Sequence, residues 1–159
     1  GSGDERDLLL DGAHNADGAA ALAAALDALD GDLRDARGAT GTAPTLVVAA
    51  MADKDVAQVC AALAASVALR AARVVCTSVG DPRSMPPSAL AATAHAAGLG
   101  AVVDEAATPG DAVRSALRDP GPLVVAGSLY LVGSVRESLM RAGRIPDDGS
   151  LDPLPESRA

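Results

Sequence analysis

Four stretches of this 159-residue chain carry polar side chains of chemically useful type. Asp11-Gly12-Ala13-His14-Asn15 sets a His near an acid at a turn into a helix, an arrangement suited to an anionic or ribose-bearing ligand. Plain architecture is the alternative there, with Asn15 as a helix N-cap and Asp11 holding the turn. Met51-Ala52-Asp53-Lys54-Asp55 contains the one Lys of the chain, a point charge for a carboxylate or phosphate. Lys54 can equally be a solvated charge between two acids, with Asp55 capping the next helix. Gly127-Ser128 leads a strand into a helix whose free amides, with the Ser128 hydroxyl, suit a carboxylate. The plainer role for Ser128 is an N-cap, with Tyr130 in the core or at its rim. Asp81-Pro82-Arg83-Ser84-Met85-Pro86-Pro87 holds one Arg in a Pro-stiffened turn and signals little beyond a helix start. His95 has no partner in sequence and is given no role.

Equally informative are the motifs the chain does not contain. It has no GxxxxGK[ST] phosphate loop and no GxGxxG after its first strand, so it lacks a complete nucleotide-hydrolysing site. Two His and two Cys are scattered singly, which leaves no metal-ligand cluster, and no GxSxG elbow supports a hydrolase. A net charge of −8 with no basic stripe excludes a nucleic-acid surface, and a single Tyr makes no stacking platform. No apolar run reaches the length of a membrane span. Cys60 and Cys76 read as small buried hydrophobes, consistent with a reducing cytoplasm.

These loops must be held by a scaffold, and the apolar pattern describes one. Candidate strands at Leu8–Leu10, Thr45–Ala49, Arg73–Thr77, Ala101–Val103 and Pro122–Ala126 alternate with candidate helices. Those helices fall at Ala16–Leu29, Val56–Leu69, Pro87–Ala97, Gly110–Leu117 and Leu129–Ala142. The strands are continuous apolar runs, as expected of a parallel sheet buried on both faces. Five strand–helix units in order predict an α/β fold, an open Rossmann-like, mostly parallel sheet with helices on both faces. Of the chain's apolar residues 37 are Ala, and Phe and Trp are absent, so the core must be aliphatic and closely spaced. Residues 1–7 read as a leader or tag and residues 8–143 as the domain. Residues 30–44 read as a flexible connection, and residues 144–159 as a mobile, Pro- and acid-rich tail. Ligands gather at the carboxyl ends of the strands in such a fold, where the four stretches lie.

In order, Leu10-Asp11-Gly12-Ala13-His14-Asn15, Ala52-Asp53-Lys54-Asp55, Pro82-Arg83-Ser84 and Gly127-Ser128-Leu129-Tyr130-Leu131-Val132-Gly133 resemble the C-terminal domain of folylpolyglutamate synthase/dihydrofolate synthase, within the Mur ligase superfamily. The resemblance runs from about Leu8 to Arg141; Ala16 departs from it, standing where the family usually has Pro. It implies ATP-dependent ligation in folate biosynthesis and one-carbon metabolism. A carboxylate of dihydropteroate or of a folate's glutamyl tail becomes an acyl phosphate, which the amine of an incoming glutamate attacks. The phosphate loop and the Mg²⁺ ligands belong to the family's N-terminal ATPase domain, so this chain is expected to be inactive alone and to partner that domain. By the same resemblance Asp11, His14 and Asn15 lie toward ATP, with His14 also near the reacting centre, and Lys54 and Ser128 face glutamate. Arg83 and Tyr130 match the pattern without an assigned role. A stand-alone, non-catalytic α/β binding or regulatory module is the alternative from another class. The sequence upstream of Leu8 discriminates the two. A receiver-like signalling domain fits poorly, because its Lys would follow the last strand.

Overall fold

The computed structural model describes residues 8–37, with backbone only from 30 to 37, and residues 43–143. The leader reading of residues 1–7, the tail reading of 144–159 and the stretch 38–42 lie outside the described residues.

Five strands form one sheet among the described residues: β1 (Leu8–Leu10), β2 (Thr45–Val48), β3 (Arg73–Cys76), β4 (Val102–Glu105) and β5 (Leu123–Ala126). Their order is β1-β5-β2-β3-β4, and every neighbouring pair is parallel. The central strands are buried along almost their whole length, as their unbroken apolar runs require. Because side chains alternate across a strand, each central strand feeds two cores. Leu46, Val48, Val74, Cys76 and Val124 pack beneath α1 (Ala16–Arg37), α2 (Val56–Ala64), α3 (Val67–Arg70) and α4 (Pro87–Ala96). Val47, Val75, Leu123 and Val125 pack beneath α5 (Pro109–Ala116) and α6 (Leu129–Arg141). The expected doubly covered, Rossmann-like α/β fold is present.

Most boundaries fall within a residue of expectation, and three elements depart further. Helix α1 runs eight residues beyond Leu29 to Arg37, so the first half of the expected flexible connection is helical. Leu33 continues the spacing of Leu22, Leu26 and Leu29, and a single Gly31 costs only about 1 kcal/mol relative to Ala in an Ala-rich run. The expected helix Val56–Leu69 is broken at Ser66, whose Oγ accepts from the Leu69 amide and so starts α3. The Ser66 hydroxyl in turn donates to Asp27 of α1 at 2.7 Å, and the Val67 and Ala68 amides add to the same carboxylate. Strand β4 begins one residue late and continues through Asp104 and Glu105. It is an edge strand with Val102 exposed, not a strand buried on both faces, and β1 at the other edge is half-buried.

At the amino-terminal edge of the sheet, Arg73 binds Asp104 through Nε at 2.8 Å and Asp119 through Nη1 at 3.0 Å. It also donates to the Ser115 carbonyl at 3.2 Å and hydroxyl at 2.5 Å, while Thr45 donates to Asp119 at 2.8 Å. Burial alone would lower the Arg73 pKa; the bonds to Asp104 and Asp119 outweigh it and hold the guanidinium charged. Cys60 and Cys76 are both buried and free, and burial pushes their thiols up to about 11 and about 12, which fits a packing role. His95 sits exposed in the last turn of α4. No helix among the described residues is long and apolar enough to cross a membrane.

Candidate functional site

The helices following β1 and β2 lie on one face of the sheet and α6, following β5, lies on the other, so a crevice opens at the carboxyl ends of these adjacent strands. Three close approaches shape it. Gly127 has φ +105°, and a Cβ there would stand 2.1 Å from the Ala49 carbonyl oxygen, so only Gly lets the β5 turn lie against β2. Gly12 lies under Leu129, which tucks the β1 turn against the start of α6. The loops after β2 and β3 are zipped together by backbone bonds, Ala52 N–H to the Arg83 carbonyl at 2.7 Å and Met85 N–H to the Ala50 carbonyl at 2.8 Å. Met51 and Ser84 form an antiparallel bridge between the same loops.

The resulting cleft has a volume of about 260 Å³, and its charged and polar lining is His14, Asp53, Lys54, Arg83, Ser128 and Tyr130. Three of the five expected site residues therefore converge: His14, Lys54 and Ser128. Asp11 and Asn15 are not part of the lining, and both perform local work. Asp11 Oδ1 accepts from the Ala13 amide at 2.9 Å, and Asn15 Oδ1 accepts from the Gly18 amide at 2.7 Å, capping α1. His14 Nδ1–H donates to the Gly12 carbonyl at 3.1 Å, which orients the ring and leaves Nε2 without a partner among the described residues.

Ser128 fulfils its plainer role and keeps a capacity for the other. Only 5% exposed, it caps α6, its Oγ accepting from the Tyr130 amide at 3.1 Å and the Leu131 amide at 3.4 Å. Among the described residues the hydroxyl proton has no acceptor, and the Leu129 amide, at the first position of α6, has no intrahelical partner. Lys54 is exposed and its ammonium makes no ion pair with a described residue. Asp55 caps α2 through the Gln58 amide at 3.2 Å. Arg83 is tied to Asp81 through Nε and Nη2, each at 3.2 Å, and this pair holds the exposed Arg83 pKa up and the Asp81 pKa down. Leu129 and Tyr130 are 58% and 65% exposed at the rim. Among the described residues, no group of three or more His, Cys, Asp or Glu converges as a metal site. Sequence spacing did not reveal the loop zipper that brings Arg83 into the same cleft as Lys54, because backbone pairing between loops leaves no residue-type signature.

The cleft lies at the carboxyl ends of the strands, beside the capped start of α6. The dihydrofolate synthetase C-terminal domain family matches residues 2–140. The chain belongs to this family. No curated protein sequence matches it. Among solved structures, Mycobacterium tuberculosis folylpolyglutamate synthase complexed with ADP is 30% identical, with a TM-score of 0.64 over 87% of this chain and 30% of that one. Thermotoga maritima folylpolyglutamate synthase is 27% identical, with a TM-score of 0.59 over 87% of this chain and 28% of that one. The bifunctional folylpolyglutamate synthase/dihydrofolate synthase of Yersinia pestis, 24% identical with a TM-score of 0.64, shares the fold across 86% of this domain and 29% of that chain. The domain thus spans about 30% of the length of the solved structures it matches. Its five-stranded parallel sheet is that of the Mur ligase C-terminal domain.

Proposed function

We propose that this chain is the C-terminal domain of a cytoplasmic, ATP-dependent ligase that joins L-glutamate to dihydropteroate or to a folate through an acyl phosphate. The observation that carries this reading is the convergence of Lys54, Ser128 and His14 in one cleft within a domain of the dihydrofolate synthetase family. Lys54, which makes no ion pair with a described residue, supplies an ammonium for a glutamate carboxylate, and the Ser128 hydroxyl with the Leu129 amide supplies donors at the positive end of α6. His14, in the lining of the same cleft, is assigned the role of holding or moving a proton at the reacting centre through Nε2.

Solved relatives supply precedent for a nucleotide: the Mycobacterium tuberculosis enzyme was solved with ADP and the Yersinia pestis enzyme with AMPPNP and a Mn ion. The residues here suit one edge of such a nucleotide. Asp11 retains its second carboxylate oxygen as an acceptor for a ribose hydroxyl, since only Oδ1 is used in the turn. Asn15 keeps its amide N–H groups, because its oxygen alone caps α1. ATP supplies the phosphoryl group, and its Mg²⁺ is held by residues of an N-terminal ATPase domain outside this chain. The chain alone is therefore inactive, and its partners are that domain, glutamate and the pteroate or folate acceptor.

Enzyme assays test the reading. The purified chain should neither hydrolyse ATP nor ligate glutamate. A ligase joining this chain to a P-loop domain should lose activity at least tenfold on either His14→Ala or Lys54→Ala, the scale of one lost charge-assisted contact or proton-transfer group. Full activity in both variants would refute the site assignment.

A further inference from the structure

Two fixed cations face the cleft, and the glutamate reading above uses only Lys54. We propose that Arg83 is the specificity-determining residue for the amino acid's second carboxylate, so that the cleft selects a dicarboxylic over a monocarboxylic amino acid. The inference rests on the glutamate reading of the cleft and extends it to a residue with no assigned role.

Charge inventory is the first argument. An α-amino dicarboxylic acid carries two carboxylates and one ammonium, and the described lining offers two permanent cations, Lys54 and Arg83, against one carboxylate, Asp53. Asp53 and Tyr130 line the same cleft as Arg83. A small cleft of about 260 Å³ fits an amino acid rather than a drug-sized ligand.

Geometry is the second. The backbone bond between Ala52 and Arg83 anchors the Arg83 loop to the loop bearing Lys54. Asp81 then orients the guanidinium: Oδ1 accepts from the Arg83 amide at 2.8 Å as well as from Nε, and Oδ2 accepts from Nη2. That arrangement consumes two of the five guanidinium protons and leaves three, including both on Nη1, for another carboxylate. Lys54, a single point charge, cannot serve both carboxylates of one ligand in a fixed orientation. An exposed Arg–Asp pair contributes little to stability, so a merely structural Arg83 would leave amino-acid selectivity unchanged.

Titration of the isotopically labelled chain with L-glutamate and with L-glutamine, whose side chain is a neutral isostere, separates the possibilities. Wild type should bind glutamate more tightly, by roughly tenfold, the scale of a charge-assisted hydrogen-bonded contact. Arg83→Gln should abolish that preference by weakening glutamate while leaving glutamine affinity unchanged, and Arg83→Lys should restore part of it. Lys54→Ala should weaken both amino acids alike. Unfolding midpoints of all variants report any loss of fold. A glutamate preference that survives in Arg83→Gln overturns the role of Arg83 and leaves the glutamate reading standing. Absence of binding of either amino acid to wild type at millimolar concentration overturns the glutamate reading, and the selectivity proposal with it.

Discussion

The two ends of the sheet treat their charged residues in opposite ways. At the amino-terminal edge, Arg73 spends its donors on Asp104, Asp119 and Ser115, all within the protein. At the carboxyl edge, among the described residues, Lys54 has no ion pair, His14 uses one ring nitrogen, and Ser128 accepts two amides while its proton has no acceptor. Self-satisfied charge stabilises a fold; unspent hydrogen-bonding capacity around a cleft is what a ligand needs. The contrast separates residues that hold this domain together from residues placed to act.

Removing the central cation of the saturated edge should have the largest effect on stability. Arg73→Leu strands Asp104 and Asp119 without their partner and should lower unfolding free energy by about 2 kcal/mol in urea titration, the range for bonds to charged groups in a partly exposed setting. Glutamate binding at the opposite edge should stay unchanged. A loss of binding equal to that of Lys54→Ala would break the separation between the two ends.

Legibility in the sequence follows the same division. Strand positions, two-sided helix cover and the carboxyl-end loops follow from apolar runs and turn residues, because those signals are local. Ser128 and Asp55 were legible as caps for the same reason. What escaped depends on distant partners. The break at Ser66 is stabilised by Asp27, 39 residues earlier, and the extension of β4 carries Asp104 to its bond with Arg73, 31 residues earlier. Arg83 looked like part of a helix start because its placement comes from backbone pairing between two loops. Asp11 was read as holding the turn and Asn15 as a cap, and both also as ligand contacts; the turn and the cap are in place, and the contacts are a proposal.

A smaller effect probes a third kind of charge, one used at a helix junction. Burial alone would raise the Asp27 pKa; bonds from Ser66, Ala68 and Val67 outweigh it and bring it below its ordinary 3.8. A carboxyl with a lowered folded-state pKa stabilises fully above the unfolded value and loses that contribution as pH falls through the folded one. Asp27→Asn should therefore cost about 1 kcal/mol at neutral pH, the size of a capping interaction, and the gap from wild type should close below about pH 4. Urea unfolding at a series of pH values checks it; a gap that persists unchanged into acid would show that the charge is not what Ser66 and its neighbours bind.

The most direct test of the division between the two ends is a map of backbone amide shifts as L-glutamate is added to the labelled chain. The account predicts shifts at Lys54, Arg83 and Leu129–Leu131 with Arg73, Asp104 and Asp119 unmoved. Shifts centred on the Arg73 edge, or none at all at the carboxyl-end cleft, would contradict it.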